Sequence, residues 1–211
     1  GVEVARAFSE LPFDHLFFTG STAVGRQVAE AAARNLTPVT LELGGKSPCI
    51  IDASCTDLEG AALKIAMGKL LNAGQTCIAP DYLLLPRGRE AAFADAYQKA
   101  VTRLYPRVVG NPDYAAIVNA RQHARLQGLL DEARALGARV DDVGPPAMDT
   151  PGSEAEARQM RPLLVFDLPA QARLLQDEIF GPILPVLPYD RLDTVIAHIN
   201  ARPRPLALYW F

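Results

Sequence analysis

Short apolar runs alternate with stretches of helical periodicity along most of the chain. The runs that predict strands cover residues 15–18, 39–43, 49–51, 82–85, 163–166 and 183–187. Runs of this length, bounded by turn-forming residues, suit strands better than helices. Strands that alternate with helices are typical of a mostly parallel sheet, so the pattern predicts the α/β fold class.

Apolar residues at helical spacing predict five helices among these strands. The first places Val24 and Val28 on its inner face. The second begins after Asp57, a favourable N-cap, and ends near Gly74. The others lie around residues 93–104, 121–136 and 192–200. The stretch 141–158 is rich in turn-forming residues and is predicted to be an exposed loop.

The composition is that of an ordinary globular protein. Hydrophobic residues make up 49% and charged residues 21% of the 211 positions, which argues against disorder. The net charge of −3 predicts no nucleic-acid partner and no anionic membrane surface. We also expect no transmembrane segment and no signal peptide. Three cysteines without a Cys-x-x-Cys pair favour a reducing, cytoplasmic location.

A turn of small residues follows the first predicted strand and precedes the first predicted helix. Gly20 allows close approach to the backbone, and Ser21 can cap the helix or bind a phosphate oxygen. A helix N-terminus offers free N–H groups and a positive dipole end, which suit a phosphate. The turn lacks the Gly-x-Gly-x-x-Gly fingerprint, so taken alone it also fits an ordinary capped helix.

The second predicted strand ends in Leu-Glu-Leu-Gly-Gly-Lys-Ser-Pro, which places Glu42 beside two glycines. The glycines leave room for a ligand to lie against the backbone. The Gly-Lys-Ser triplet is typical of a P-loop, but that motif requires glycine where this chain has Thr40, so we reject it. A glutamate at a strand end, taken alone, also fits a solvated charge.

Cys77 follows Gly-Gln-Thr just after a predicted helix end. A thiol with small polar neighbours can be a nucleophile, since the thiolate is the reactive form. A lone cysteine also fits a small buried apolar residue. Cys49 lies in an apolar strand and Cys55 in a turn, so both are predicted to be structural.

The fourth candidate segment is Glu-Ile-Phe-Gly-Pro at residues 178–182. Glu178 could bind ribose hydroxyls, and Phe180 could pack against a planar ring. A charged turn with one buried phenylalanine is the alternative interpretation.

Taken in order, four segments resemble the NAD(P)-dependent aldehyde dehydrogenase superfamily. They are Phe-Thr-Gly-Ser-Thr at 18–22, Leu-Glu-Leu-Gly-Gly-Lys-Ser-Pro at 41–48, Gly-Gln-Thr-Cys at 74–77 and Glu-Ile-Phe-Gly-Pro at 178–182. The resemblance extends from about residue 15 to the end of the chain. Finer features, such as Cys-Ile-Ala-Pro-Asp-Tyr at 77–82 and Asn-Pro-Asp-Tyr at 111–114, look like the class 3 and coniferyl aldehyde dehydrogenase branch.

The resemblance implies a three-layer αβα catalytic domain with a mostly parallel sheet. It implies that Cys77 is the nucleophile and Glu42 the general base, with no metal. The residues that match the cofactor-binding positions are Gly20, Ser21 and Gly25 at the pyrophosphate turn, Leu43 beside the nicotinamide, and Glu178 and Phe180 around its ribose and ring.

The implied reaction is the oxidation of an aldehyde, aromatic such as coniferyl aldehyde or long-chain, to a carboxylate. A Cys77 thiohemiacetal transfers hydride to NAD+ or NADP+, with NAD+ favoured, and water activated by Glu42 hydrolyses the resulting thioester. A homodimer is the expected assembly.

The resemblance also sets an expectation about length. The family's chain is roughly twice as long, and this chain stops at Phe211 inside an apolar run. We therefore expect residues 1–211 to be part of the catalytic domain, truncated at both ends. A thiol esterase that uses Cys77 and Glu42 without hydride transfer, or a catalytically inactive structural fragment, are the alternatives.

Overall fold

The computed structural model describes residues 1–146 and 151–211, which divide into two compact units, Gly1–Gly45 and Lys46–Phe211. The first unit contains α1 (Val2–Ser9), β1 (Leu16–Gly20), α2 (Thr22–Ala33) and β2 (Val39–Leu43). β1 and β2 are parallel neighbours. Two parallel strands joined by a helix form a βαβ unit, as the apolar pattern predicts, whereas α1 was not predicted.

Helix α2 packs against the strands through its smallest side chains. Gly25, Val28, Ala31 and Ala32 are its buried residues. The prediction that Val24 faces inward is wrong, because this side chain is 44% exposed. The inner position in the first turn is taken by Gly25, which leaves space for a side chain of β2.

The second unit holds a six-stranded sheet in the order β5-β6-β7-β4-β3-β8. Neighbouring strands are parallel except β5 and β6. Its elements are β3 (Pro48–Ile50), α3 (Leu58–Leu70), β4 (Tyr82–Pro86), α4 (Glu90–Leu104), α5 (Ala120–Ala135), β5 (Arg139–Asp142), β6 (Leu163–Phe166), α6 (Arg173–Gln176), β7 (Ile183–Tyr189), α7 (Leu192–Asn200) and β8 (Tyr209–Trp210).

Helices cover both faces of this sheet. Successive strand residues point to opposite faces. In β4, Leu83 and Leu85 join the large core that contains residues of α3, α4 and α5, whereas Tyr82 and Leu84 pack with Val195 of α7. Three layers in the order αβα follow, and the predicted α/β class with a mostly parallel sheet is confirmed.

The structure differs from the sequence pattern at two segments of the second unit. The helix predicted to end near Gly74 ends at Leu70, and a short 3-10 turn follows it. The predicted loop at 141–158 overlaps the end of β5 and contains the 3-10 turn Glu156–Arg158, while residues 147–150 of that loop lie outside the described residues. β5 is a polar edge strand, so apolar alternation gives little sign of it. Among the described helices, none has the length and apolar character to cross a membrane.

Candidate active site

The carboxyl ends of β1 and β2 bring together four of the predicted site residues. Gly20 ends β1 directly opposite Leu43 at the end of β2, and the exposed Glu42 lies one position earlier. Ser21 follows Gly20 and accepts a hydrogen bond from the N–H of Val24 at 3.4 Å, so it caps α2. The first N–H groups of a helix have no acceptor within the helix, so this edge suits an anionic phosphate.

Gly25 lies where α2 approaches β2. A Cβ on Gly25 would lie 2.7 Å from Cδ2 of Leu43, closer than carbon atoms can pack. Any larger residue would require the Leu43 side chain or the helix to shift. Gly25 therefore permits the close packing of α2 against the Leu43 side chain at the predicted pyrophosphate turn.

In the second unit, Cys77 lies in the loop between α3 and β4, with an exposed side chain. Three consecutive residues before it, Asn72, Ala73 and Gly74, have φ angles of 50°, 53° and 76°. This left-handed region is unfavourable for Ala73 by roughly 1–2 kcal/mol. The turn ends the helical path of α3 and begins the loop that carries the thiol.

Side chains from distant segments fasten this loop on both sides of the thiol. Nε2 of Gln75 donates to the carbonyl of Ala116 at 3.1 Å, and its Oε1 accepts from the N–H of Val118 at 2.9 Å. Beyond the thiol, the hydroxyl of Tyr209 donates to the carbonyl of Ile78 at 2.5 Å. The backbone is therefore held while the thiol stays exposed.

The thiol loop meets the predicted nicotinamide segment at two glycines. A Cβ on Gly74 would lie 2.6 Å from the carbonyl carbon of Gly181, so the backbone contact requires glycine there. Phe180, just before Gly181, has a φ of 53° and is 40% exposed, and Glu178 is half-buried. The structure thus brings the loop of Cys77 next to the segment of Glu178 and Phe180.

A buried ion pair that was not predicted fastens the same segment. Nζ of Lys46 donates to the carboxylate of Asp81 and to the carbonyls of Leu174 and Asp177, the last two at 2.8 and 2.9 Å. Oδ1 of Asp81 accepts from the N–H of Ile179 at 3.0 Å. Asp81 directly precedes β4 and Lys46 lies two residues before β3, and a charge so close to an apolar strand was the signal that could have identified them.

Helix α5 supports the nicotinamide segment from another side. Arg125 donates to the carbonyl of Glu178 at 3.3 Å and to the carbonyl of Ile179 at 2.5 Å. Burial lowers the pKa of the Arg125 guanidinium, and nearby carboxylates oppose that change. A Cβ on Gly181 would lie 2.6 Å from Cδ1 of Leu126, so glycine leaves room for that side chain.

The remaining cysteines have structural surroundings. Cys49 is buried in β3, and burial raises the pKa of its thiol far above the ordinary value. Cys55 is half-buried, and its thiol donates to the carbonyl of Asp57 at 3.7 Å. All three thiols are free, and Cys77 is the one whose side chain is exposed.

The predicted site residues therefore form two groups, one in each unit. The first unit holds Gly20, Ser21, Gly25, Glu42 and Leu43, and the second holds Cys77, Glu178 and Phe180. Within the residues described, no group of three or more histidine, cysteine, aspartate or glutamate side chains is arranged to hold a metal ion.

Comparison with known families and proteins identifies the family of the chain. The model of the aldehyde dehydrogenase family matches residues 1–209. A Pseudomonas aeruginosa protein described as a probable coniferyl aldehyde dehydrogenase is 51% identical over 210 residues, which cover 100% of this chain and 42% of that protein. Mouse aldehyde dehydrogenase family 3 member A2 is 44% identical over 201 residues, which cover 94% of this chain and 39% of that protein. The predicted class 3 and coniferyl branch is confirmed, and the chain spans less than half the length of these relatives.

Solved structures give the same result. Staphylococcus aureus AldH in a substrate-bound state matches with a TM-score of 0.87 and 40% identity, over 100% of this chain and 44% of that one. A mutant of Pseudomonas syringae AldA indole-3-acetaldehyde dehydrogenase in complex with NAD+ and IAA matches with a TM-score of 0.85 and 29% identity, over 99% and 42%. An Escherichia coli NADP-dependent enzyme matches with a TM-score of 0.84 and 29% identity, over 99% and 42%. The chain belongs to the aldehyde dehydrogenase family.

Proposed function

We propose that the protein oxidises an aldehyde to a carboxylate with NAD+, through a covalent bond to Cys77. The observation that carries the proposal is an exposed thiol in a loop whose backbone abuts the segment of Glu178 and Phe180. A nucleophile must be accessible and held in place, and the bonds of Gln75 and Tyr209 hold this loop.

The proposed reaction has two stages. The Cys77 thiolate adds to the carbonyl carbon, and the tetrahedral alkoxide then collapses to a thioester as hydride leaves. NAD+, when bound, supplies the hydride acceptor. Glu42 takes a proton from a water molecule that attacks the thioester, which releases the carboxylate and returns the thiol. The exposed position of Glu42 at the end of β2, before two glycines, supports access by water.

The cofactor is proposed to bind through two sets of residues. The capped start of α2 at Ser21, with Gly20 and Gly25, supports a pyrophosphate site, and Leu43 ends the neighbouring strand. Glu178 is assigned to the nicotinamide ribose and Phe180 to the ring. Known structures of similar proteins include complexes with NAD+ and an NADP-dependent enzyme, and we propose NAD+ as the preferred cofactor.

The finer proposals concern the substrate and the setting of the protein. The names of the relatives support an aromatic aldehyde of the coniferyl type ahead of a long-chain aldehyde. We also propose a homodimer in a cytoplasmic location, and three free thiols are consistent with a reducing compartment.

The test is an assay of NADH formation by the full-length gene product, with coniferyl and aliphatic aldehydes and with both nicotinamide cofactors. Cys77→Ser is expected to abolish NADH formation, whereas the control Cys55→Ser retains it. Glu42→Gln is expected to release about one NADH per site in a burst and then stall, because hydride transfer precedes hydrolysis. NADH formation by Cys77→Ser would contradict the mechanism. Ester cleavage without NADH in the wild type would instead indicate a thiol esterase, and neither activity would indicate an inactive structural protein.

A further inference from the structure

Cys77 and Ile78 are the two central residues of a tight turn. The N–H of Ala79 donates to the carbonyl of Thr76 at 3.1 Å and closes a β-turn over residues 76–79. The turn lies at the surface, and both central side chains are exposed. Water competes for the backbone bond of a surface turn, so that bond alone restrains the central residues weakly. A nucleophile on such a turn requires a further restraint.

The peptide group that links Ile78 to Ala79 is held at both ends. Its N–H makes the bond that closes the turn, and its carbonyl oxygen accepts from the hydroxyl of Tyr209 at 2.5 Å. A rotation of this peptide plane would break both bonds at once. Because Ile78 follows Cys77 directly, the phenol restrains the backbone after the thiol, whereas Gln75 fastens the backbone before it.

Tyr209 reaches this turn from β8, 131 positions after Ile78 in the chain. Its backbone lies opposite Cys49 of β3. Neighbouring residues of a strand point to opposite faces of the sheet. Tyr209 packs against the large core that contains residues of α3, whereas Trp210 is 50% exposed. The register of β8 on β3 therefore directs the phenol, rather than the indole, to the face covered by α3, the helix that precedes the thiol loop.

The phenol of Tyr209 remains a hydrogen-bond donor through the neutral and mildly alkaline range. Burial raises its pKa above the ordinary value, and the thiols of Cys49 and Cys77 raise it further. A protonated phenol donates to a carbonyl, whereas a phenolate can only accept. The restraint on the turn therefore persists under the conditions of the proposed reaction.

Two other tyrosines make the same kind of bond in the interior. The hydroxyl of Tyr114 donates to the carbonyl of Met160 at 2.9 Å, and both residues are buried. The hydroxyl of Tyr189 donates to the carbonyl of Ile51 at 2.9 Å, and these residues are also buried. A buried bond of this kind stabilises the fold, since its loss leaves a carbonyl unpaired away from water. The bond of Tyr209 ends at an exposed turn, where water can replace it, so its contribution to stability is small and its place beside the thiol indicates a role in the reaction.

We propose that Tyr209 is a positioning residue for the nucleophile, whose hydroxyl, through the carbonyl of Ile78, fixes the turn that carries Cys77 and so the direction in which the thiol meets the aldehyde. Attack on the carbonyl carbon and the hydride transfer that follows both require aligned atoms, and a displacement of about 1 Å can slow a reaction by as much as about 100-fold. The inference rests on the proposed function, in which Cys77 is the nucleophile.

The test follows the first turnover of NADH formation by stopped flow, with the full-length gene product and the best aldehyde substrate of the wild type. Tyr209→Phe removes one oxygen atom and is expected to slow this turnover about tenfold, while KM for the aldehyde changes less than about twofold. The controls Tyr114→Phe and Tyr189→Phe each remove a bond from a phenol to a carbonyl far from the thiol in sequence, and are expected to keep the wild-type rate. An unchanged rate in Tyr209→Phe, or an equal loss of rate in all three variants, would overturn the proposal.

Two further readouts separate positioning of the thiol from other roles. In a Cys77→Ser background, Tyr209→Phe is expected to leave the Kd for NAD+ unchanged in calorimetry, because the lost bond restrains the thiol turn. A weaker Kd would place the effect at the cofactor site and overturn the proposal. The Tm of Tyr209→Phe is expected to fall no further than that of Tyr114→Phe, since its bond ends at an exposed turn. A larger fall in Tm, or failure to fold, would show a structural role and overturn the proposal as well.

The two levels of the proposal fail differently. A wild type that forms NADH from none of the aldehydes overturns the proposed function and this inference together. A wild type that forms NADH, with Tyr209→Phe completing its first turnover at the same rate, overturns the inference alone.

Discussion

In the first unit the predicted site residues lie at the ends of β1 and β2, whereas in the second unit they precede β4 and β7. Ligands of open α/β sheets usually bind at the carboxyl ends of strands, where helix N-termini supply N–H groups. The first unit follows that rule. The second unit instead places the ion pair of Lys46 and Asp81 near the amino ends of β3 and β4.

The two arrangements also differ in how far apart their partners lie along the chain. The cap of α2 joins Ser21 to a residue three positions away. Lys46 reaches a carbonyl 131 positions away, and Asp81 reaches an N–H 98 positions away. The first arrangement is therefore encoded locally, and the second exists only when the second unit is folded.

The largest expected effect comes from breaking the long-range bonds of the second unit. Asp81→Asn leaves the charge of Lys46 buried and unpaired, which should lower the free energy of unfolding by about 3–5 kcal/mol. Urea unfolding followed by the fluorescence of Trp210 reports this unit, because Trp210 is the single tryptophan of the chain. The control Asp190→Asn breaks an exposed ion pair with Arg87 and should give no measurable change. Equal midpoints for the two variants would show that the buried pair is not what holds the segment.

A smaller effect is expected where the loop of Cys77 touches the segment of Glu178 and Phe180. Gly74→Ala adds a collision with the backbone of Gly181 to an unfavourable φ of 76°, and should cost about 2–4 kcal/mol. Gly88→Ala is the matched control, since its φ is 89° but a Cβ there meets no atom within 4 Å. It should cost about 1 kcal/mol, the backbone penalty alone. The difference between the two losses in unfolding free energy, measured by urea unfolding, gives the cost of the contact between Gly74 and Gly181. Equal losses for the two variants would contradict that contact.

Local signals account for what the sequence could predict. The apolar runs of β1, β2, β4 and β7 and the capped start of α2 depend on neighbouring residues, and all were predicted. The end of α3 was not, because Asn72 and Ala73 adopt left-handed φ angles that their residue types do not favour, and the neighbouring Gln75 bonds to a segment about 40 positions away. β5 lies at the edge of the sheet next to β6, where water reaches its polar side chains. It therefore lacks the apolar alternation that would have predicted a strand.

The candidate site divides in the same way. Cys77, Glu42 and Ser21 lie in short motifs whose order along the chain resembles the family, and that resemblance pointed to them. Lys46 was set aside with the rejected P-loop, and Lys69 lies in an ordinary helical pattern. The burial of these two lysines and the partners of Lys46 depend on the tertiary fold, which residue spacing does not describe.

The smallest expected effect tests the first unit and its local encoding. Ser21→Ala removes a cap bond of 3.4 Å, whereas the control Asp57→Ala removes a cap bond of 2.8 Å in the second unit. Thermal unfolding by far-ultraviolet circular dichroism should show losses of about 0.5 kcal/mol and about 1 kcal/mol respectively. For NAD+ affinity the order of the two effects should be reversed. Ser21→Ala should weaken binding about two- to fivefold, because the hydroxyl at the pyrophosphate turn contributes one hydrogen bond to the ligand. Asp57→Ala should leave NAD+ affinity unchanged. Equal NAD+ affinities for the two variants would mean that Ser21 only caps α2, and the contrast between the units would then lie in their stability alone.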